Sequence, residues 1–208
     1  MGVDLWVFQA INEFARATPW LHGPMVVYTN YGIVLLALLL LGGWWLARQQ
    51  ANPRVIAAAL WAPVGMLAAL GVNQPISSAV GEARPYAVLS NILVLAHRSM
   101  DPSFPSDHAV TAGAVAAGVL LVTRWVLAWV TVVAALLLAF SRVYIAAHYP
   151  HDVLAGLLLG AVVSVVGFAI VRGALTRLVV VLQGTRLRPV LTTAPPLTPV
   201  AAAESAAR

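Results

Sequence analysis

Between Ser141 and Asp152 the chain reads Ser-Arg-Val-Tyr-Ile-Ala-Ala-His-Tyr-Pro-His-Asp, gathering a guanidinium, two imidazoles and a carboxylate at the seam between two long apolar runs. Charge in such a place is costly and is kept for a task. Pro150 lacks an amide hydrogen and is well tolerated only in the first turn of a helix, so the spacing predicts a helix that starts near Tyr149. His148 then stands just ahead of that turn and Asp152 within it. The carboxylate can accept a hydrogen bond from one imidazole nitrogen and raise the basicity of the other, which makes His148 a candidate nucleophile. A helix start also offers unpaired amides, and Arg142 offers a planar fork of donors; both suit phosphate oxygens. The chemistry implied is attack on a phosphate.

Two further polar patches carry the same signature. In Ser103-Phe104-Pro105-Ser106-Asp107-His108, Ser106 is a good N-cap for the helix that follows and His108 sits in its first turn. Arg84-Pro85-Tyr86 stands at the end of an apolar run, with Glu82 the nearby carboxylate in sequence. An antiparallel helical bundle would bring two arginines, two helix N-termini and two histidines from these three segments to one surface. That set is suited to phosphoryl transfer.

The elements that must position these residues are apolar helices. The 208 residues are 61% hydrophobic and 9% charged, with five histidines and no cysteine, and mean hydropathy is +0.89. This composition excludes a soluble globular protein and predicts an all-α integral membrane bundle. The missing cysteines exclude disulfides and cysteine-ligated metals. Val3 to Ala17 is amphipathic but interrupted by Asp4, Glu13 and Arg16, and reads as an interfacial helix with Trp6 and Trp20 in the aromatic belt. It lacks the features of a signal peptide, so it is expected to be retained. Five spans follow, at 25–47, 55–80, 106–123, 125–144 and 153–171, the last continuing helically toward Leu182. Pro63 is a kink position in the second, where Asn73 and Gln74 require protein or water beside them. Tyr86 to Ala96 is too short to span and reads as interfacial or re-entrant. Gly156 and Gly160, one turn apart, permit close helix packing. The membrane domain is therefore expected over 1–182, with a disordered cytoplasmic tail over 183–208 rich in Pro, Thr and Ala.

Sidedness follows from arginine, since the chain has no lysine. Arg48, Arg54, Arg124, Arg172, Arg177, Arg186 and Arg188 fall on one side of the five-span arrangement, while every histidine and every acidic residue except Glu204 falls on the other. Short cytoplasmic loops are enriched in positive charge, so the polar patches are expected to face outward. His22, His97 and His151 read as interfacial or headgroup neighbours, and Arg98 with Asp101 as a loop ion pair. The tryptophans read as anchoring and packing residues, with no cofactor implied.

Arg84-Pro85, Pro105-Ser106-Asp107-His108, and Ser141-Arg142 with His148 and Asp152 resemble the three signature motifs of the type 2 phosphatidic acid phosphatase family. The resemblance implies a multi-pass, metal-independent membrane phosphatase without cofactor, acting through a phosphohistidine. In it His148 is nucleophile oriented by Asp152, His108 is general acid, and Arg84, Arg142 and Ser106 cradle the phosphate. Two positions depart from the pattern: Ser77 stands where the first motif usually has lysine, and Asp107 where the second more commonly has glycine. Asp107 belongs to the phosphate-binding set by position, but a carboxylate beside phosphate repels it unless paired. Its expected task is to contact an arginine, cap backbone or discriminate between lipids. The Asp107 variant is similar to that of bacterial undecaprenyl diphosphate phosphatases of the bacitracin-resistance type, which implies an outward-facing enzyme of the bacterial plasma membrane that recycles the lipid carrier for cell-wall synthesis. A lipid phosphate and the bilayer are the expected partners, with no nucleic acid. A broader lipid phosphatase, acting on phosphatidylglycerol phosphate, phosphatidic acid or a phosphoribosyl polyprenol, and a non-enzymatic lipid-binding protein remain alternatives.

Overall fold

The computed structural model describes residues 2–123 and 125–193; Arg124 and the remainder of the tail lie outside the described residues. Helices α1 (Val3–Ala17), α2 (His22–Gln50), α3 (Pro53–Val80), α4 (Pro85–Val88), α5 (Asp107–Val122), α6 (Val126–Tyr144), α7 (Pro150–Gln183) and α8 (Arg188–Leu191) form an all-helical bundle. The start of α7 falls at Pro150, as the spacing predicts, whereas α3 begins two residues before the expected Val55 and α4 is a short helix inside the connection. Pro53, Pro85 and Pro150 occupy first turns, where a missing amide costs nothing. Gly81 adopts the left-handed conformation after α3.

Four helices, α2, α3, α6 and α7, are long and apolar enough to cross a membrane. The fifth expected span, α5, has 16 residues, about 24 Å at ~1.5 Å per residue, which falls short of a ~30 Å hydrocarbon core. It is the centre of the bundle, packed by α7, α3, α6 and α2. Twelve of its residues are buried, so little of its length meets lipid. Glycines set the spacing at the α5–α7 contact. A Cβ on Gly113 would lie 2.1 Å from the Leu157 carbonyl oxygen, and one on Gly160 would lie 2.0 Å from that of Val110. Gly156 in the turn above would bring a Cβ to 2.8 Å from the carbonyl oxygen of Ser106. This close approach holds the N-terminal ends of α5 and α7 side by side.

α1 buries Phe8, Asn12 and Ala15 and leaves Trp6 exposed, as an amphipathic helix laid across other helices should. Asn12 exchanges side-chain hydrogen bonds with the Leu93 backbone, at 2.8 Å to its carbonyl and 3.0 Å from its amide. The amides of Leu95 and Ala96 donate to Ile145 O at 3.2 and 3.0 Å. The stretch expected to be interfacial or re-entrant is thus a strap pinned between α1 and the end of α6. Within the stretch expected as tail, residues 188–191 form α8. Leu191 of α8 is 4% exposed and packs with Ala47, Ile56 and Val179, because a short Pro-Val-Leu turn has apolar surface to bury.

Candidate active site

α6 ends at Tyr144 and the chain reverses over three residues to present His148. Ala146 adopts φ +61°, an uncommon conformation for a residue with a Cβ and one held here by full burial. The reversal lets the amides of Ala147 and His148 both donate to Arg142 O, at 3.0 and 3.3 Å. The backbone of His148 and that of Arg142 are therefore joined through one carbonyl.

His148 is 2% exposed. Its Nε2 lies 3.2 Å from Arg84 Nη1 and 3.3 Å from Arg142 Nη2. Guanidinium groups only donate, so Nε2 must accept and the ring proton must reside on Nδ1. Nδ1 donates to the Ser103 carbonyl oxygen at 2.8 Å. Burial pushes the imidazole down to about 4; the nearby Arg142 and Arg84 charges act in the same direction, while Asp152 opposes them. The ring is held neutral, with its free lone pair aimed between two arginines.

The arginines are themselves fixed. Arg84 Nε donates to Asp101 O at 2.9 Å and its Nη1 to Ala147 O at 3.3 Å. Arg142 Nη1 donates to Thr29 Oγ1 at 3.4 Å, and Thr29 is in turn 3.1 Å from Ser141 Oγ. α2 thus supplies a residue that the motifs do not include.

Asp152 is fully buried. Its Oδ2 accepts from Ser103 Oγ at 2.5 Å and from the Tyr149 amide at 2.8 Å, and lies 3.5 Å from His148 Nδ1. The short direct bond expected between Asp152 and His148 is replaced by one through Ser103, whose hydroxyl anchors the carboxylate while its carbonyl anchors the imidazole. Ser103 opens the second polar patch, and its polarity ahead of a Pro-containing turn was the available signal. Spacing alone could not reveal it, because the residue acts through its main chain as much as its side chain.

Ser106 occupies the N-cap position of α5 but makes no side-chain capping bond; its amide donates to Asp152 O at 3.2 Å, while its hydroxyl is buried without a partner. A buried hydroxyl at a helix N-terminus is an available donor for an anion. His108, half-buried one residue into α5, lies within electrostatic range of Arg142, His148 and Arg84. The structure brings Arg84, Arg142, His148, Asp152, Ser106 and His108 to one end of the bundle. Asp107 is directed elsewhere: its Oδ1 accepts from Asn73 Nδ2 at 2.7 Å and from Gln74 Nε2 at 3.4 Å, and Asn73 also donates to Pro105 O at 3.2 Å. It ties the α5 start to α3. Ser77, half-buried in the last turn of α3, gives its carbonyl to the Gly81 amide.

Two other readings change. Arg98 lies over the Tyr86 ring at 5.8 Å, whereas Asp101 accepts from Ser99 Oγ at 2.5 Å, so the expected loop ion pair gives way to local partners. His151, with its side chain 41% exposed, has closer partners than the sequence suggested. It lies between Asp4, Glu82 and Asp152, contacting all three. Glu82, His151 and Asp152 have ligand-type atoms within 4.8 Å of one another, but both ring nitrogens already face carboxylates, so the imidazole ring occupies the place a cation would take.

A model of the PAP2 superfamily matches residues 58–175. Undecaprenyl-diphosphatase BcrC of Bacillus subtilis (strain 168) is 33% identical over 162 residues, covering 78% of this chain and 81% of its own. An undecaprenyl-diphosphatase of Sulfolobus acidocaldarius is 30% identical over 171 residues, 79% of this chain and 76% of its own. Among solved structures, Aquifex aeolicus LpxE superposes with a TM-score of 0.59 at 21% identity, covering 81% of this chain and 96% of its own. The first transmembrane PAP2 type phosphatidylglycerolphosphate phosphatase from Bacillus subtilis gives 0.59 at 22%, covering 81% and 87%. At those identities the structural likeness concerns the fold. With over half of its length matched by the family model, and a lone pair on His148 set between two arginines, the chain belongs to the PAP2 superfamily and is a multi-pass membrane phosphatase.

Proposed function

We propose that this enzyme removes the terminal phosphate of a polyprenyl diphosphate of the undecaprenyl class, through a phosphohistidine on His148. The observation that carries the chemistry is the His148 ring, neutral and oriented by Ser103, with Nε2 shared by Arg84 and Arg142. Incoming phosphate oxygens take over the guanidinium donors and release the Nε2 lone pair, which attacks phosphorus in line with the leaving oxygen. Arg84, Arg142, the Ser106 hydroxyl and the amides at the α5 start hold the equatorial oxygens as charge spreads over them. His108 donates its proton to the departing oxygen of the lipid monophosphate. It then takes a proton from the water that cleaves the P–N bond, releasing inorganic phosphate and regenerating the ring. Burial first, and then Arg142, His148 and Arg84, disfavour the cationic form of His108; the negative charge of the bound substrate acts against this, as the acid role requires.

The substrate class rests on two relatives matched over most of the chain, both undecaprenyl-diphosphatases. The arginine asymmetry supports a site on the extracytoplasmic face of a bacterial plasma membrane. Phosphate release from undecaprenyl diphosphate, compared with phosphatidylglycerol phosphate in detergent containing chelator, tests the reading. Preference for the diphosphate, trapping of a phosphorylated intermediate, and loss of both on His148→Ala are expected. Unchanged release by His148→Ala would sink the chemistry; equal or better turnover of phosphatidylglycerol phosphate would sink the substrate.

A further inference from the structure

His151 lies three residues beyond the nucleophile, and no phosphoryl-transfer role falls to it. Its Nδ1 is 2.9 Å from Asp4 Oδ2, and its Nε2 is 3.0 Å from Glu82 Oε2 and 3.1 Å from Asp152 Oδ1. The His151 amide donates to the second Asp4 oxygen at 2.8 Å. A neutral imidazole carries one N–H and would turn a lone pair toward one of these anions. Only the imidazolium satisfies both sides of the ring. The ring is also stacked, with centroids 5.6 Å from Phe104 at 26° and 5.7 Å from Tyr149 at 17°. Each of these neighbours belongs to a catalytic segment.

The consequence falls on Asp152. Its Oδ2 is engaged by Ser103 and the Tyr149 amide, whereas the buried Oδ1 has no hydrogen-bond partner of good geometry and faces His151 Nε2. A fully buried carboxylate needs compensating charge to stay ionised. His148, held neutral by burial and then by its arginines, does not provide it. The groups facing His151 from the packed elements are Asp4 of α1, Glu82 of the α3–α4 connection, Asp152 of α7 and the rings of Phe104 and Tyr149.

We propose that His151, held as an imidazolium by Asp4 and Glu82, is a positioning residue for phosphoryl transfer: it neutralises buried Asp152 and keeps the opposite carboxylate oxygen on Ser103 and the nucleophile. The inference rests on the phosphohistidine reading and makes α1, which carries no phosphate ligand, part of the electrostatics of the site through Asp4. Loss of the His151 proton leaves three carboxylates facing one another and loosens Asp152.

The test uses the full chain in detergent with undecaprenyl diphosphate. His151→Gln is expected to lower kcat about tenfold with KM within about twofold, as for residues that orient a reacting group without touching substrate. The Asp4→Asn/Glu82→Gln double variant keeps the hydrogen-bonding shapes but removes the charges that hold the imidazolium. It is expected to match the wild type near pH 6, with the alkaline fall in kcat moved at least about one pH unit lower. A merely structural role predicts no such directed shift, and the double variant carries the test if His151→Gln does not fold. An unmoved alkaline limb, or wild-type kcat in His151→Gln, overturns the proposal. So does activity lost in chelator and restored by a divalent cation, which would give the cluster to a metal. If His148→Ala is inactive while the double-variant profile is unchanged, this inference alone fails; an active His148→Ala removes the reading beneath it.

Discussion

The carbonyl oxygen of Ser103 lies 2.8 Å from His148 Nδ1, closer than any carboxylate oxygen approaches that nitrogen. The main chain therefore sets the tautomer of His148, and the Ser103 hydroxyl couples that setting to Asp152.

Because the carbonyl survives any substitution at position 103, Ser103→Ala is expected to keep the tautomer but release Asp152 from one of its anchors. The expected cost is about tenfold in kcat, with KM little changed. Asp152→Asn, which removes the charge itself, is expected to cost about 10²-fold or more. Steady-state kinetics on the two variants checks the order; a Ser103→Ala enzyme as impaired as Asp152→Asn contradicts it.

The two arginines hold the place of the phosphate by geometry as well as charge. Arg142→Lys keeps the charge but loses the fork that reaches both Thr29 and His148 Nε2. We expect kcat/KM to fall about 10²–10³-fold, the scale of losing a preorganised donor to transition-state charge. Near-wild-type kinetics would show that charge alone suffices.

His148 has its imidazole pushed down to about 4 from an ordinary value near 6.5. A lowered value means that the neutral, nucleophilic form prevails at every pH above about 4 in the free enzyme. The kcat/KM profile, which reports the free enzyme, is thus expected to show no acid limb from His148 between pH 5 and 7. Histidine NMR of the folded protein should find this ring unprotonated at pH 5.5; a ring that titrates near 6.5 would contradict the geometry.

Gly160→Ala places a Cβ 2.0 Å from the Val110 carbonyl oxygen, so α5 and α7 must separate. Overpacking of this kind costs about 1–3 kcal/mol. The shift should also displace the Ser106 amide from Asp152 and lower activity. Gly71, beside which an added Cβ meets nothing within 4 Å, is the control, and Gly71→Ala is expected to leave both unchanged. Thermal unfolding and phosphate release measured on the pair separate packing from a general intolerance of alanine.

The tail makes its own prediction. Leu191→Ala removes a side chain buried against Ala47, Ile56 and Val179, at a cost of about 2 kcal/mol of stability, with kcat unchanged because this cluster lies far from the phosphate residues. An unaltered melting temperature would mean that α8 is not docked in solution.

The sequence by itself determined the helical membrane class, the start of α7 at Pro150, and the types of group at the site. Those features follow from composition, from the missing amide of proline, and from the cost of placing Arg142, His148 and Asp152 beside apolar runs. Only the tertiary structure decided how these groups are wired. Ser103 acts through its carbonyl, Thr29 reaches Arg142 from α2, and Asp107 turns to Asn73, none of which leaves a spacing to read. The role of His151 was hidden for the same reason, since Asp4 and Glu82 lie 147 and 69 residues away along the chain. Hydropathy records only how apolar α5 is. Whether its apolar surface meets lipid or four neighbouring helices is settled by packing, here by glycines that let α7 approach to backbone contact.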